Sequence, residues 1–163
     1  MKIFSMKTTI FLGAMLSLLV CLMFTGCSNS ETNSTSRGLT DFAHIEEEYL
    51  ATIDSLNWPD GITLPDKLED EDTGASFQVG YGETRASYLW EYSWMKEWLD
   101  TYNTDPERAE KALEELEKAF DMPYMGIDRC DDATRNYLRE NIDKAKLGDP
   151  SGFTESIRAN YAN

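Results

Sequence analysis

Few residues in this 163-residue chain have the type and surroundings to do chemistry, and Glu91 is foremost among them. Helical spacing over 83–102 puts it in the middle of an aromatic arc, where a carboxylate loses hydration unless something pairs with it. Two chemistries follow. With a second acid, such as Asp60 or Asp128, Glu91 could serve as a general acid or base in a hydrolase, and glycosidic chemistry needs a carboxylate separation of about 5–9.5 Å. Paired with an arginine from another helix, Arg135 or Arg139, it would be a structural ion pair. His44 is the only histidine, so a His-based metal site or a His-dependent triad lacks its parts. The acidic run 69–72 invites a divalent cation. Placing Gly74 at the glycine of an EF-hand loop, however, puts Gly80 where the closing glutamate belongs. A solvated loop is the simpler expectation, with no metal and no cofactor implied.

Trp90, Trp94 and Trp98 stand on the same arc as Glu91, with Tyr88, Tyr92, Met95, Leu99 and Tyr102 beside them. They could form a ligand platform for glycan rings or an apolar peptide. An arc this wide also suits a central helix buried by several neighbours, since a small domain needs a few large side chains to bury enough area.

The elements that must position these groups are mostly helical. Phe42, Ile45, Tyr49, Ile53 and Leu56 recur at spacings of three and four, predicting a helix within 40–57 with Thr40 or Asp41 as N-cap and Trp58-Pro59 as its end. Glu46-Glu47-Glu48 are expected on its solvated side. Residues 58–82 read as non-helical, because Pro59-Asp60-Gly61 is a turn signal and Pro65 blocks a helix. Phe77, Val79 and Tyr81 alternate as in a short extended piece, and Gly80 and Gly82 permit close backbone approach before the next helix. After the helix over 83–102, Asp105-Pro106 caps another that carries Ala109, Ala112, Leu113 and Leu116 and ends by Met122-Pro123. Asp131 or Asp132 opens a fourth helix, with Ala133, Tyr137, Leu138, Ile142 and Ala145 as its apolar side and Gly148 as its stop. Asp149-Pro150 starts a fifth, bearing Phe153, Ile157 and Tyr161. The fold expected is all-α: an irregular bundle of about five helices around the aromatic-rich 83–102 helix, with one long non-helical segment over 58–82.

The first 26 residues differ in kind. Lys2 and Lys7 precede an apolar run, Ile10 to Phe24, that is too short for the roughly 20 residues of a spanning helix and reads as a secretory signal. The run closes on Phe24-Thr25-Gly26-Cys27, which resembles the lipobox of bacterial lipoprotein precursors at Thr25, Gly26 and Cys27, with Phe24 in place of the more usual leucine. The resemblance implies cleavage before Cys27, a thioether-linked diacylglycerol on it, acylation of the palmitate type, and a protein held on the extracytoplasmic face of the cell membrane. It also implies that Ser28, in place of an aspartate, permits outer-membrane sorting where two membranes exist. Two acyl chains at about 0.8 kcal/mol per buried CH₂ anchor a protein stably. Residues 28–38 have no apolar side chain and read as a flexible tether spanning about 18 Å on average. The resulting division is 1–26 signal peptide, 27–38 lipidated N-terminus and tether, and 39–163 a single helical domain.

Charge and cysteine content narrow the partners. Beyond Gly26 the chain has 13 basic and 30 acidic residues, a net charge of −17. That excludes nucleic acid, whose phosphates need a basic patch. Cys21 would leave with the signal and Cys27 would be acylated, so Cys130 is left as a single thiol without a disulfide partner and reads as a buried structural residue. The functional expectation is a membrane-anchored, non-catalytic binding or accessory module for a protein, peptide or envelope component. An envelope hydrolase using Glu91 is the alternative, and divalent-metal binding through 69–72 a weaker one.

Overall fold

A computed structural model describes residues 38–69 and 71–161. The signal, lipobox and most of the tether lie outside those residues, as does Asp70. The architecture is the expected all-α irregular bundle, with five α-helices among the described residues and a single two-stranded ribbon. In chain order these are β1 (Leu39–Thr40), α1 (Phe42–Ser55), β2 (Phe77–Gln78), α2 (Tyr81–Thr101), α3 (Pro106–Glu117), α4 (Asp132–Lys146) and α5 (Ser151–Asn160). Two short 3₁₀ turns, Lys118–Asp121 and Pro123–Met125, link α3 towards α4.

The helix starts follow from local chemistry. Asp41 accepts from the His44 amide, Asp105 from Arg108 and Asp131 from Thr134, each satisfying a donor that the first turn leaves unpaired. Pro106 occupies the first turn of α3, where its missing N–H costs nothing.

α2 is the centre of the molecule, and α1 lies along its first half. Their backbones touch at Gly82, where an added Cβ would stand 1.8 Å from the Ile45 carbonyl oxygen. At the other end, the Asn57 carbonyl just past α1 accepts from both Trp90 Nε1 (2.8 Å) and Trp94 Nε1 (3.1 Å). The N-terminal part of α1 therefore meets the start of α2, and its C-terminal end meets the middle of α2. The two helices run in the same direction. A parallel pair needs a return crossing, and the segment over 58–80 supplies it, burying Leu68 against Ile45, Tyr49, Ile53 and Ala86 on the way. The crossing closes in the antiparallel β1–β2 ribbon, with Leu39 opposite Gln78 and Thr40 opposite Phe77.

The glutamates of α1 are not simply a solvated face. Glu48 accepts from the amides of Gly80 (2.8 Å) and Gly82 (3.2 Å), so its carboxylate caps the positive end of α2 from a different helix. Glu46 accepts from the Leu68 amide at 3.3 Å and ties the crossing down, while Glu47 is exposed. Gly80 sits at φ +88°, in the left-handed region, which lets the chain turn into the helix beneath Arg129. Arg129 pairs with Glu83 at 2.6 Å.

The second half of α2 is sheathed by the rest of the chain. The small residues Ala109 and Ala112 of α3 lie in the same buried cluster as Trp94 and Trp98, and Phe153 of α5 meets Trp98 edge-on at 5.3 Å. α5 runs antiparallel to α2, since its far end brings Tyr161 to Tyr92 at 4.9 Å between ring centroids. Trp58 is packed against both apolar clusters and joins them.

Replacing Gly82 by alanine should cost about 3 kcal/mol, the upper part of the range for overpacking. The change would be read as a lowered urea midpoint. Gly61→Ala, at φ +81° but with open space around it, should cost only about 1 kcal/mol. Glu48→Ala should cost about 1–2 kcal/mol through the two α2 amides it leaves uncapped.

Candidate functional site

Trp90, Trp94 and Trp98 are 1%, 1% and 2% exposed, so the ligand-platform expectation is corrected: these rings are core. Their burial has a local reason. The indole N–H groups of Trp90 and Trp94 are both spent on the Asn57 carbonyl, and Trp98 is stacked on Tyr102 at 4.6 Å. No edge or polar handle of the Trp90 and Trp94 pair is left for a ligand.

Glu91 is buried as the helical spacing predicts, at 7% exposure. Its partner is not an arginine. Oε2 accepts from the Tyr124 hydroxyl at 2.8 Å, and Tyr124 is itself buried, in the 3₁₀ turn Pro123–Met125. Arg135 is instead committed to the carbonyls of Met125 and Cys130 and to Asp132, and Arg139 lies over the Phe120 ring. The other carboxylate oxygen, Oε1, has no hydrogen-bond donor among the described residues. Burial without a counter-ion pushes the Glu91 carboxyl up to about 7, and the Tyr124 bond only partly offsets this.

Glu91 lines a cavity of about 380 Å³ between α2, α4 and α5. Tyr88 and Tyr137 stand at its mouth, 42% and 40% exposed. Tyr161, Ser156 and Met125 form the deeper wall. The aromatic rings brace one another: Tyr88 meets Tyr124 edge-on at 5.6 Å, and the Tyr161 hydroxyl donates to the Tyr88 carbonyl at 3.3 Å. Tyr88, Tyr124 and Tyr161 all have their hydroxyls held above the usual tyrosine range, chiefly by burial, and so stay neutral. The exposure of Tyr137 corrects its placement in the apolar side of α4; Ala133 is exposed as well, and Asn141 takes an inward position between Leu138 and Ile142.

Neither acid suggested as a catalytic partner for Glu91 reaches this site. Asp60 lies in the turn after α1 and Asp128 in the turn before α4, and among the described residues Glu91 is the only carboxylate lining the cavity. The chain matches no known family model, no curated protein and no solved structure. The cavity must therefore be read from its own chemistry.

The other candidates resolve into structural roles. In the acidic loop Glu69 pairs with Lys67, while Glu71 accepts from Tyr81 and pairs with Arg85. Asp72 caps its own turn by accepting from the Gly74 amide. These carboxylates diverge, and among the described residues no three His, Cys, Asp or Glu side chains converge as metal ligands. Cys130 is half-buried rather than fully buried, with Sγ 3.5 Å from Met125 Sδ; burial pushes its thiol up, against the pull of Arg135. Such a thiol is a poor nucleophile.

The raised Glu91 carboxyl fixes a pH dependence. Its folded value, about 7, lies above its ordinary 4.5, so the folded protein holds the proton more tightly than the unfolded chain. The resulting stabilisation is complete below about pH 4.5 and is lost as pH rises through 7, a change of about 3 kcal/mol. Glu91→Gln keeps the shape without the titration. The variant should gain roughly that amount over wild type between pH 5 and pH 8 in denaturant melts, and parallel stability curves would contradict the assignment.

Proposed function

We propose that this protein is a lipid-anchored, extracytoplasmic binding module, held to the cell membrane through acyl chains on Cys27 and presenting its helical domain to a partner in the envelope. The observation that carries this reading is Phe24-Thr25-Gly26-Cys27 at the end of a basic-fronted apolar run. The position of the domain agrees with it. The first described element, β1, begins at Leu39, directly after the polar stretch 28–38, so an anchor at Cys27 would join the fold through a short hydrophilic spacer. Among the described residues no helix is long and apolar enough to cross a membrane.

Binding is favoured over hydrolysis by the site itself. Among the described residues the cavity holds one carboxylate, and both standard glycosidic mechanisms need two. A single buried acid with an unpartnered oxygen suits recognition of a ligand. The acidic surface would exclude polyanions and concentrate cations.

Labelling with palmitate tests the anchor. Wild type should take up label and run as a processed form. Cys27→Ser should stay as unprocessed precursor without label, while Cys130→Ser should label like wild type. Equal labelling of the Cys27→Ser protein would end the proposal.

A further inference from the structure

The Glu91 cavity combines three features. One is a carboxylate 7% exposed, with Oε1 unpartnered and only a neutral Tyr124 hydroxyl on Oε2. The second is a set of aromatic rings at the same cavity, Tyr88, Tyr137 and Tyr161, whose faces carry the negative end of the ring quadrupole. The third is the absence of any basic side chain among the described residues of the lining. By contrast, two other hollows carry basic groups that are already paired: Lys67 with Glu69, Arg85 with Glu71, and Lys146 with Glu117.

A largely buried acid with no counter-ion, opening onto a cavity walled by tyrosine rings, is complementary to a cation. A metal ion does not fit. Hard cations require several oxygen ligands, usually more than one carboxylate, and among the described residues no second acidic side chain converges on Glu91. An organic cation does fit, because it satisfies a carboxylate by charge and an aromatic wall by cation–π contact and burial at once. The volume of about 380 Å³ is near the lower end of small-molecule sites, so the ligand is compact.

We infer that this cavity binds a small alkylammonium or trimethylammonium group, with its charge against Glu91 and its carbons against Tyr88, Tyr137 and Tyr161. This deepens the binding-module reading by naming the class of ligand. The net charge of −17 beyond Gly26 acts in the same direction by drawing cations to the domain. A bound cation favours the ionised carboxylate, so affinity should rise with pH through 7. Titratable neighbours do not interfere: Tyr88 on the same helix, Tyr124, Tyr161 and Cys130 are all raised, and α4 and α5 contribute no charged side chain to the lining.

Calorimetric titration of the full-length protein in non-ionic detergent tests this, using tetramethylammonium, propylammonium and the uncharged isostere 3,3-dimethylbutan-1-ol. At least one cation should bind with Kd of about 1 mM or tighter, and the alcohol roughly tenfold more weakly or not at all. Cation affinity should fall about tenfold from pH 8 to pH 6. Glu91→Gln should remove the preference for charge, and Tyr88→Leu should weaken the cation about threefold. Equal affinity for cation and alcohol in wild type, or no cation binding at about 10 mM, would overturn the inference without recourse to a variant. Phosphatidylcholine vesicles added as competitor separate two sources of the same group. Displacement of the free cation assigns it to a lipid headgroup and persistence to a free solute, and either result supports the site. Loss of cation binding with palmitate labelling intact would remove the site and leave the anchor, and the converse would leave the site alone.

Discussion

The structure depends on the absence of one side chain. At Gly82 the backbone of α2 rests on the Ile45 carbonyl of α1, and a residue with a Cβ could stand there only if the two backbones moved apart. Three other contacts follow from this approach. It brings the Glu48 carboxylate within reach of the Gly80 and Gly82 amides, so that one helix caps another. It sets the axis along which Asn57, a dozen residues further on, meets Trp90 and Trp94. It also obliges the 58–80 segment to travel back along α1 before α2 can begin. The remaining helices then close over the half of α2 that α1 leaves bare.

Glu91 lies at a gap in that sheathing. Ala86 one turn before it is sealed by α1 and the crossing, and Trp94 and Met95 one turn after it are sealed by the main core. Between them, α4 and α5 leave a gap lined by three tyrosines, with Leu138 and Met125 as its aliphatic part. An acid in such a gap is costly to keep, because a buried carboxylate with a single neutral donor is poorly solvated. A glutamine or methionine would fill the position at less cost. The retained charge, together with the ring-lined opening, separates this cavity from an ordinary packing defect.

Much of this was legible in the sequence, and the boundary between legible and illegible follows sequence distance. The caps at Asp41, Asp105 and Asp131 depend on residues three positions away and could be read directly. So could the burial of Glu91, since helical spacing fixes its direction, and the need for close approach at Gly80 and Gly82. Glu48 could not be placed, because its partners lie 32 and 34 residues downstream and nothing near it marks them. Tyr124 was hidden for the same reason: it sits between Met122-Pro123 and Gly126, a stretch whose local signals speak only of a chain break. The arginines were the obvious partners for a buried acid by charge, yet both are occupied within their own neighbourhood, by carbonyls at the start of α4 and by the Phe120 ring. The tryptophan arc carried two readings by type alone, and what distinguishes them is covering by distant parts of the chain: the Asn57 carbonyl for Trp90 and Trp94, and Phe153 for Trp98.

The parallel arrangement of α1 and α2 has a kinetic consequence. Bundles built from adjacent antiparallel helices fold quickly because their contacts are close in sequence. Here the bonds from Trp90 and Trp94 to Asn57 span 33 and 37 residues, and the intervening chain must be closed before either forms. The α2–α3 and α4–α5 pairs have no such obstacle, since each is joined through a four-residue turn. The Tyr124–Glu91 bond and the contact of Phe153 with Trp98, like the docking of α1, must wait for long stretches of chain to close. The barrier to joining the pairs is then the entropy of ordering those stretches rather than any shortage of contacts.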